Sequence, residues 1–219
     1  MKLFVYLILF TLPFSVFADQ KFTYDYDHVV YKLFWSKLYE DGGWTLYCGL
    51  KFNNGGTTIN NNKLVIEHIY PVSKIIEFLG CGSRMQCRDS GNKKFIHMEA
   101  DLHNLYPVWQ NLNNVYYDSS YGEINGEDWR YDGCDFERRN GVAEPRPLAR
   151  GNIARALFYM HGKYGIPLDK ESLPVLKDWN KKDPPSKHEK KRNSKIEEIQ
   201  GNRNPYIDNP ELAEKISIK

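Results

Sequence analysis

Glu67 and His68 stand together at the end of a short apolar run in "KLVIEHIYPVS" (63–73). Leu64, Val65 and Ile66 read as a buried strand, and Pro71 closes the segment. A carboxylate and an imidazole at the rim of a core are costly to desolvate unless something satisfies them. "MEADLHNLYP" (98–107) brings a second His-Asn pair with Glu99 and Asp101, and "QNLNN" (110–114) follows with a cluster of amides. Carboxylate and amide oxygens suit a hard cation such as Mg²⁺, which takes one or two protein ligands, several waters and a substrate phosphate. A neutral histidine, with an unperturbed pKa of about 6.5, can take a proton from an attacking water. A histidine on a strand facing an asparagine on a helix across one ion is an economical site for phosphodiester hydrolysis. The competing reading of His68 is a satisfied structural histidine, and His103 in "DLHNL" fits that description better. His97 and His103, six residues apart, fall on different helical faces, which argues against zinc.

The elements that must position these groups follow from periodicity. A strand over 44–52 ("WTLYCGLKF") and a second over 63–69 are separated by the turn-rich "NNGGTTINNN" (53–62). "NLYPVWQNLNNVYYD" predicts a helix near 107–117 that starts just after Pro107, a residue suited to a first helical turn. Around this unit, helices are expected at 25–40, 72–79, 146–165 and 192–201, with a basic Gly- and Cys-bearing loop over 80–94. Ile153, Leu157, Met160 and Tyr164 mark one buried stripe of the 146–165 helix, and Gly165 marks its stop. Residues 119–142 read as irregular, and "NRNPYID" as extended. The expected architecture is one α+β domain over 19–219.

Residues 1–18 read as an export signal: Lys2, an apolar run from Leu3 to Leu12, and Val16-Phe17-Ala18 before the cut. The compartment expected is periplasm or medium, with no membrane contact in the mature form. Cys48, Cys81, Cys87 and Cys134 all survive cleavage, and four cysteines in an exported chain suggest two disulfides in one of three pairings. No C-x-x-C occurs, so a zinc cluster is disfavoured. With 30 basic and 28 acidic residues, net charge says little about partners. Its distribution says more, because 177–195 holds eight Lys or Arg against three acids.

Six stretches in order resemble the bacterial periplasmic and secreted endonuclease I family: "LYCG" (46–49), "IEHIYP" (66–71), "MEADLHNLYPVWQNLN" (98–113), "EPRPLARGNIARALFYM" (144–160), "WNKKDP" (179–184) and "IQGNRNPYID" (199–208). The resemblance implies a ββα-metal (His-Me finger-like) unit embedded among helices. It also implies nonspecific cleavage of DNA and RNA that leaves 5′-phosphate ends. Carried over by position, His68 is the general base, Glu67 and Asn113 hold Mg²⁺ (with Mn²⁺ or Ca²⁺ as alternatives at the same site), and Glu99 is an acid close to the metal. A family arginine falls at Lys93, with Arg88 close enough to replace it. The family's "CGC" is "CGL" at 48–50, so its pairing does not transfer.

Arg146 and Arg150 are i,i+4 neighbours off the buried stripe and can face a phosphate backbone together, with Arg155 joining them or pairing with an acid. No base-reading module is visible, so weak sequence preference is expected. The expected protein is a monomeric Mg²⁺-dependent endonuclease. Its rival is an exported nucleic-acid-binding protein with a decayed site.

Overall fold

The structure is a computed structural model that describes residues 20, 24–54, 56–112, 119–128, 130–131 and 133–218. The expected export signal, Asn113 and Trp129 lie outside them. The first helix, α1, opens as an α-helical turn over Tyr26–His28, capped by the Asp25 side chain, and widens into a π-helix over Val29–Leu38. Val29, Leu33, Phe34 and Leu38 form its buried edge, packed with Leu102, Leu105 and Ile196 in a small apolar cluster.

The run 44–52 is not one strand. It is a hairpin in which β1 (Gly43–Trp44) pairs antiparallel with β2 (Lys51–Phe52) across a turn at 45–50. Leu50 N donates to the Thr45 hydroxyl, and Gly49 takes the left-handed conformation that closes the turn.

The central pair is β3 (Leu64–His68) and β4 (Leu105–Trp109), antiparallel, with Glu67 opposite Tyr106 and His68 opposite Leu105. The expected helix from Pro107 is therefore corrected over 107–112: "LYPVW" is a strand, followed by a 3₁₀ turn over Gln110–Leu112, and the rest of the expected helix, 113–117, lies outside the described residues. Tyr106 and Val108, two apart on one face, join the large apolar cluster, and Leu105 on the other face joins the small one. The partner of the 63–69 strand is thus 105–109 and not 44–52.

Between β3 and β4 the chain forms α2 (Val72–Leu79), α3 (Arg84–Asp89) and α4 (Lys93–Glu99). The basic loop of 80–94 contains α3 because Ser83 caps it and Cys81–Cys87 is a disulfide. Cys48–Cys134 is the second bridge. The irregular 119–142 region holds β5 (Ser120–Tyr121) and β6 (Phe136–Arg139), which flank β7 (Val142–Pro145) in a three-stranded sheet.

α5 (Pro147–Tyr164) runs through the large cluster and is buried on nearly all sides, not along one stripe. Gly151 is required there, since a Cβ would sit 1.9 Å from the Asp183 carbonyl oxygen. α6 (Leu173–Lys182) and α7 (Lys187–Gln200) pack around α5, and α7 starts earlier than its apolar pattern because Ser186 caps it. The extended reading of 202–208 is corrected as well: Asn204 caps a short helix, α8 (Pro205–Asp208), with Pro205 in its first turn.

Asp101 organises the interior behind α4. Its carboxylate is fully buried and accepts hydrogen bonds from Tyr159 (2.8 Å), Tyr164 (2.6 Å), Gln200 (2.9 Å) and the His103 backbone N–H (2.9 Å). His103 is structural, donating through Nε2 to the Asn202 carbonyl at 3.1 Å beside the Tyr159 ring.

Candidate active site

β3 delivers Glu67 and His68 at its last two positions, where alternation turns the side chains apart but the strand's end leaves both part-exposed, so that one phosphate beyond that end can meet both. Ile66 and His68 face the side where α1 packs, and Val65 lies against the large cluster with Glu67 on its side of the strand. His68 Nε2 lies 2.8 Å from the backbone carbonyl oxygen of Glu99. A carbonyl only accepts, so Nε2 carries the proton and Nδ1 keeps a lone pair. The Tyr26 ring stacks on the imidazole at 5.2 Å with planes 27° apart. Burial lowers the His68 pKa to about 4, with Arg84 and Arg88 pushing the same way against the Glu99 carbonyl. At neutral pH the ring is a base in its unprotonated form.

Glu99 serves a second purpose through its carboxylate, which is 1% exposed. It takes Arg88 in a bidentate pair, with both N···O distances 2.8 Å, and it also bonds Arg84 Nε. Both guanidinium groups lie over the Tyr26 ring, at 4.8 Å for Arg84 and 5.6 Å for Arg88. Their outer N–H groups remain accessible, since the side chains are 45% and 35% exposed. Glu99 is therefore committed to holding two arginines near the imidazole.

Lys93 is not brought to this group. It is exposed at the first position of α4, while Glu99 is the last, a separation of about 9 Å along a helix axis. Arg84, and not Lys93, joins Arg88 on the Glu99 carboxylate. Sequence reasoning missed Arg84, although its i,i+4 spacing to Arg88 behind a serine cap was the available signal.

Burial raises the Glu67 pKa to about 8, and no other group contributes. Among the described residues no hydrogen bond or ion pair reaches this carboxyl, so burial keeps it protonated near pH 7, and a cation bound beside it would displace that proton and take the oxygens as ligands. Asn113 would follow the buried Leu112 at the end of the 3₁₀ turn but lies outside the described residues.

The three arginines expected at the phosphate backbone separate. Arg155 is corrected: it is fully buried, paired with Glu189 at 2.6 and 2.7 Å and bonded to the Asp183 carbonyl at 2.7 Å. A central helix has no solvated face to offer at that position. Arg150 is bonded to Glu144 at 2.6 Å and lies over Trp179. Arg146 keeps a guanidinium with no carboxylate in ion-pair distance among the described residues; its Nε donates to the Leu46 carbonyl at 3.1 Å.

A free imidazole lone pair, a desolvated carboxyl with no partner among the described residues and clamped arginines suit hydrolysis of phosphodiesters with a metal ion's help. Comparison with known proteins agrees with that class. The pattern of the Endonuclease I family matches residues 14–211, and the chain belongs to that family of metal-dependent endonucleases. It is similar to an extracellular deoxyribonuclease of Aeromonas hydrophila, 30% identical over 79% of this chain and 85% of that one. Endonuclease-1 of Buchnera aphidicola from Acyrthosiphon pisum is 33% identical over 78% of this chain and 76% of its own length. An extracellular ribonuclease of Bacillus amyloliquefaciens is 38% identical over a shorter span, 53% of this chain and 46% of that one.

Proposed function

We propose that the chain is an exported endonuclease that hydrolyses DNA and RNA with little sequence preference and leaves 5′-phosphate ends. The observation that carries the reading is the His68 imidazole, fixed through Nε2 on the Glu99 carbonyl with Nδ1 left as the base. Nδ1 takes a proton from the water that attacks phosphorus. Glu67 and Asn113 would hold Mg²⁺, which would supply Lewis-acid stabilisation of the charge that develops on the phosphate. Arg84 and Arg88, held by Glu99, donate to the remaining phosphate oxygens as negative charge grows there. Arg146 holds the neighbouring backbone. Every contact in this scheme is to phosphate or water, which accounts for weak base preference and for both sugars being accepted. Relatives named as extracellular deoxyribonuclease, periplasmic deoxyribonuclease and extracellular ribonuclease support export and both substrates. Among the described residues no helix is long and apolar enough to cross a membrane.

The test is plasmid nicking with and without EDTA by the parent and by His68→Ala. Loss of a general base costs roughly 10²–10⁴-fold in rate. The parent should nick only without EDTA, and the folded variant should fall by that factor while still binding DNA. Near-parental nicking by His68→Ala sinks the assignment. A parent that binds but never cuts establishes the decayed-site alternative.

A further inference from the structure

Beside the β3–β4 pair lies a cleft of about 480 Å³ between the β1–β2 hairpin and helices α5 and α7. Tyr106 lies on its wall, and directly opposed residues of antiparallel strands share a face, so the cleft adjoins the side of β3 that carries Glu67. On the hairpin, Trp44 lines this cleft with 48% of its surface exposed. The exposure is not a loose end of the fold, because the next register pair anchors the hairpin through Phe52, which is 1% exposed and packs on Trp35 and Tyr39. Lys51, the cross-strand partner of Trp44, holds its ammonium over one face of the indole, 5.7 Å from the ring centre, which leaves the other face for a base. Arg146 lines the same cleft, tied to the Leu46 carbonyl and without an ion pair among the described residues. An exposed indole flanked by a lysine and an unpaired arginine is the combination that grips single-stranded nucleic acid: a π face for a base and cations for the phosphates on either side. Bases in a duplex have their faces covered by their neighbours and cannot use such a platform.

We infer that this cleft is a subsite for an unpaired nucleobase, stacked on Trp44 with its flanking phosphates on Lys51 and Arg146, and that it favours single-stranded over duplex substrate. The inference rests on the nuclease reading for its purpose but not for its test. The test is equilibrium binding in EDTA, where no cleavage occurs, of fluorescein-labelled thymidine and uridine hexanucleotides and a 12-base-pair duplex, at one fixed salt concentration. Base stacking on an aromatic side chain corresponds to about 5- to 150-fold in affinity per base. Trp44→Ala should weaken hexanucleotide binding within that range and duplex binding several-fold less, while Trp44→Phe retains most of the parental affinity. Equal losses on the thymidine and uridine hexamers assign recognition to the base; loss on one alone assigns the subsite to that sugar. Indole emission of the unlabelled parent should be quenched by an unlabelled hexamer more than that of Trp44→Phe, a readout that needs no alanine variant to fold. Parental hexamer affinity in Trp44→Ala, an equal loss on hexamer and duplex, or identical quenching of parent and Trp44→Phe overturns the inference. A parent that fails to cut in Mg²⁺ overturns the nuclease reading instead and leaves these affinities to be judged separately.

Discussion

Removing the two disulfides one at a time should separate stability from catalysis. Cys48–Cys134 closes a loop of 86 residues and Cys81–Cys87 one of 6. Loop-closure entropy then assigns roughly 4.5 kcal/mol to the long bridge and roughly 2 kcal/mol to the short one. For a chain of this size, each kcal/mol moves Tm by about 2–4 °C. The Cys48→Ser/Cys134→Ser protein should melt about 9–18 °C below the parent, and Cys81→Ser/Cys87→Ser about 4–9 °C below. Turnover should show the reverse order. The short bridge ties down α3, a helix of six residues that is too short to persist alone and that carries Arg84 and Arg88. A misplaced catalytic group costs on the order of 100-fold, so the short-bridge variant should nick far more slowly per folded molecule, while the long-bridge variant nicks near the parental rate at 25 °C. Thermal melts by circular dichroism beside a nicking assay normalised to the folded fraction give both numbers. A short-bridge variant that nicks at the parental rate, or melts below the long-bridge variant, refutes the reasoning. By the same logic the fully reduced protein should nick far more slowly than the oxidised one, and four free thiols in a fully active enzyme would contradict it.

Arg155→Ala leaves Glu189 buried without its partner and should cost about 3–5 kcal/mol in a urea or thermal titration. Arg146→Ala should keep the parental Tm but lower the salt dependence of DNA binding by about one unit of slope; exchanged outcomes would reverse the two assignments. Burial, with Asp135, Glu127 and Glu144 adding, raises the Glu137 carboxyl from 4.5 to about 7. The folded chain therefore holds that proton more tightly than the unfolded one. Its contribution is full below about pH 4.5 and is lost as the pH rises through about 7. Glu137→Gln, measured in EDTA, should match the parent near pH 4.5 and exceed it at pH 8, and equal stabilities at pH 8 would contradict this. Tyr26→Ala removes the ring stacked on His68 and should lower kcat about 2- to 12-fold with KM little changed, restored by Tyr26→Phe. Parental turnover in the alanine variant rules that role out.

The parts of the fold that were legible in the sequence are those where one local signal dominates. Leu64, Val65 and Ile66 gave a strand because three β-formers precede a proline, and α5 was framed by Pro147 and Gly165. The strand at 105–109 was misread because Pro107 carries two meanings, a first helical turn or a strand position whose missing N–H goes unneeded. Tertiary pairing with β3 chose the second. At the site, Glu67 and His68 were legible as chemistry, since a charged pair closing an apolar strand needs a reason. The arginines were not. Whether Arg84, Arg88, Arg146, Arg150 or Arg155 meets a carboxylate depends on contacts between residues up to 34 apart, such as Arg155 with Glu189, and helical spacing carries no information about them. The "NG" at 140–141, with both residues at positive φ, was a hairpin signal between β6 and β7 that the polar composition of the region concealed.

The polar cluster around Asp101 also sets a schedule. Its amide partners come from Gln200, Asn202 and Asn204: the Gln200 oxygen accepts from the Leu102 N–H, and the amide nitrogens donate to the Asp101 carboxylate, the Tyr159 hydroxyl and the Arg155 carbonyl. A growing polypeptide that already contains Glu67, His68 and the arginines of α3 has no partner for these buried groups until synthesis has passed residue 204. At about 5–20 residues per second, the interval from His68 to Asn204 is on the order of 10 s. Throughout that interval the wall behind the imidazole cannot close. A chain with its reactive residues near the front and their supports near the back completes its site only when synthesis is almost finished.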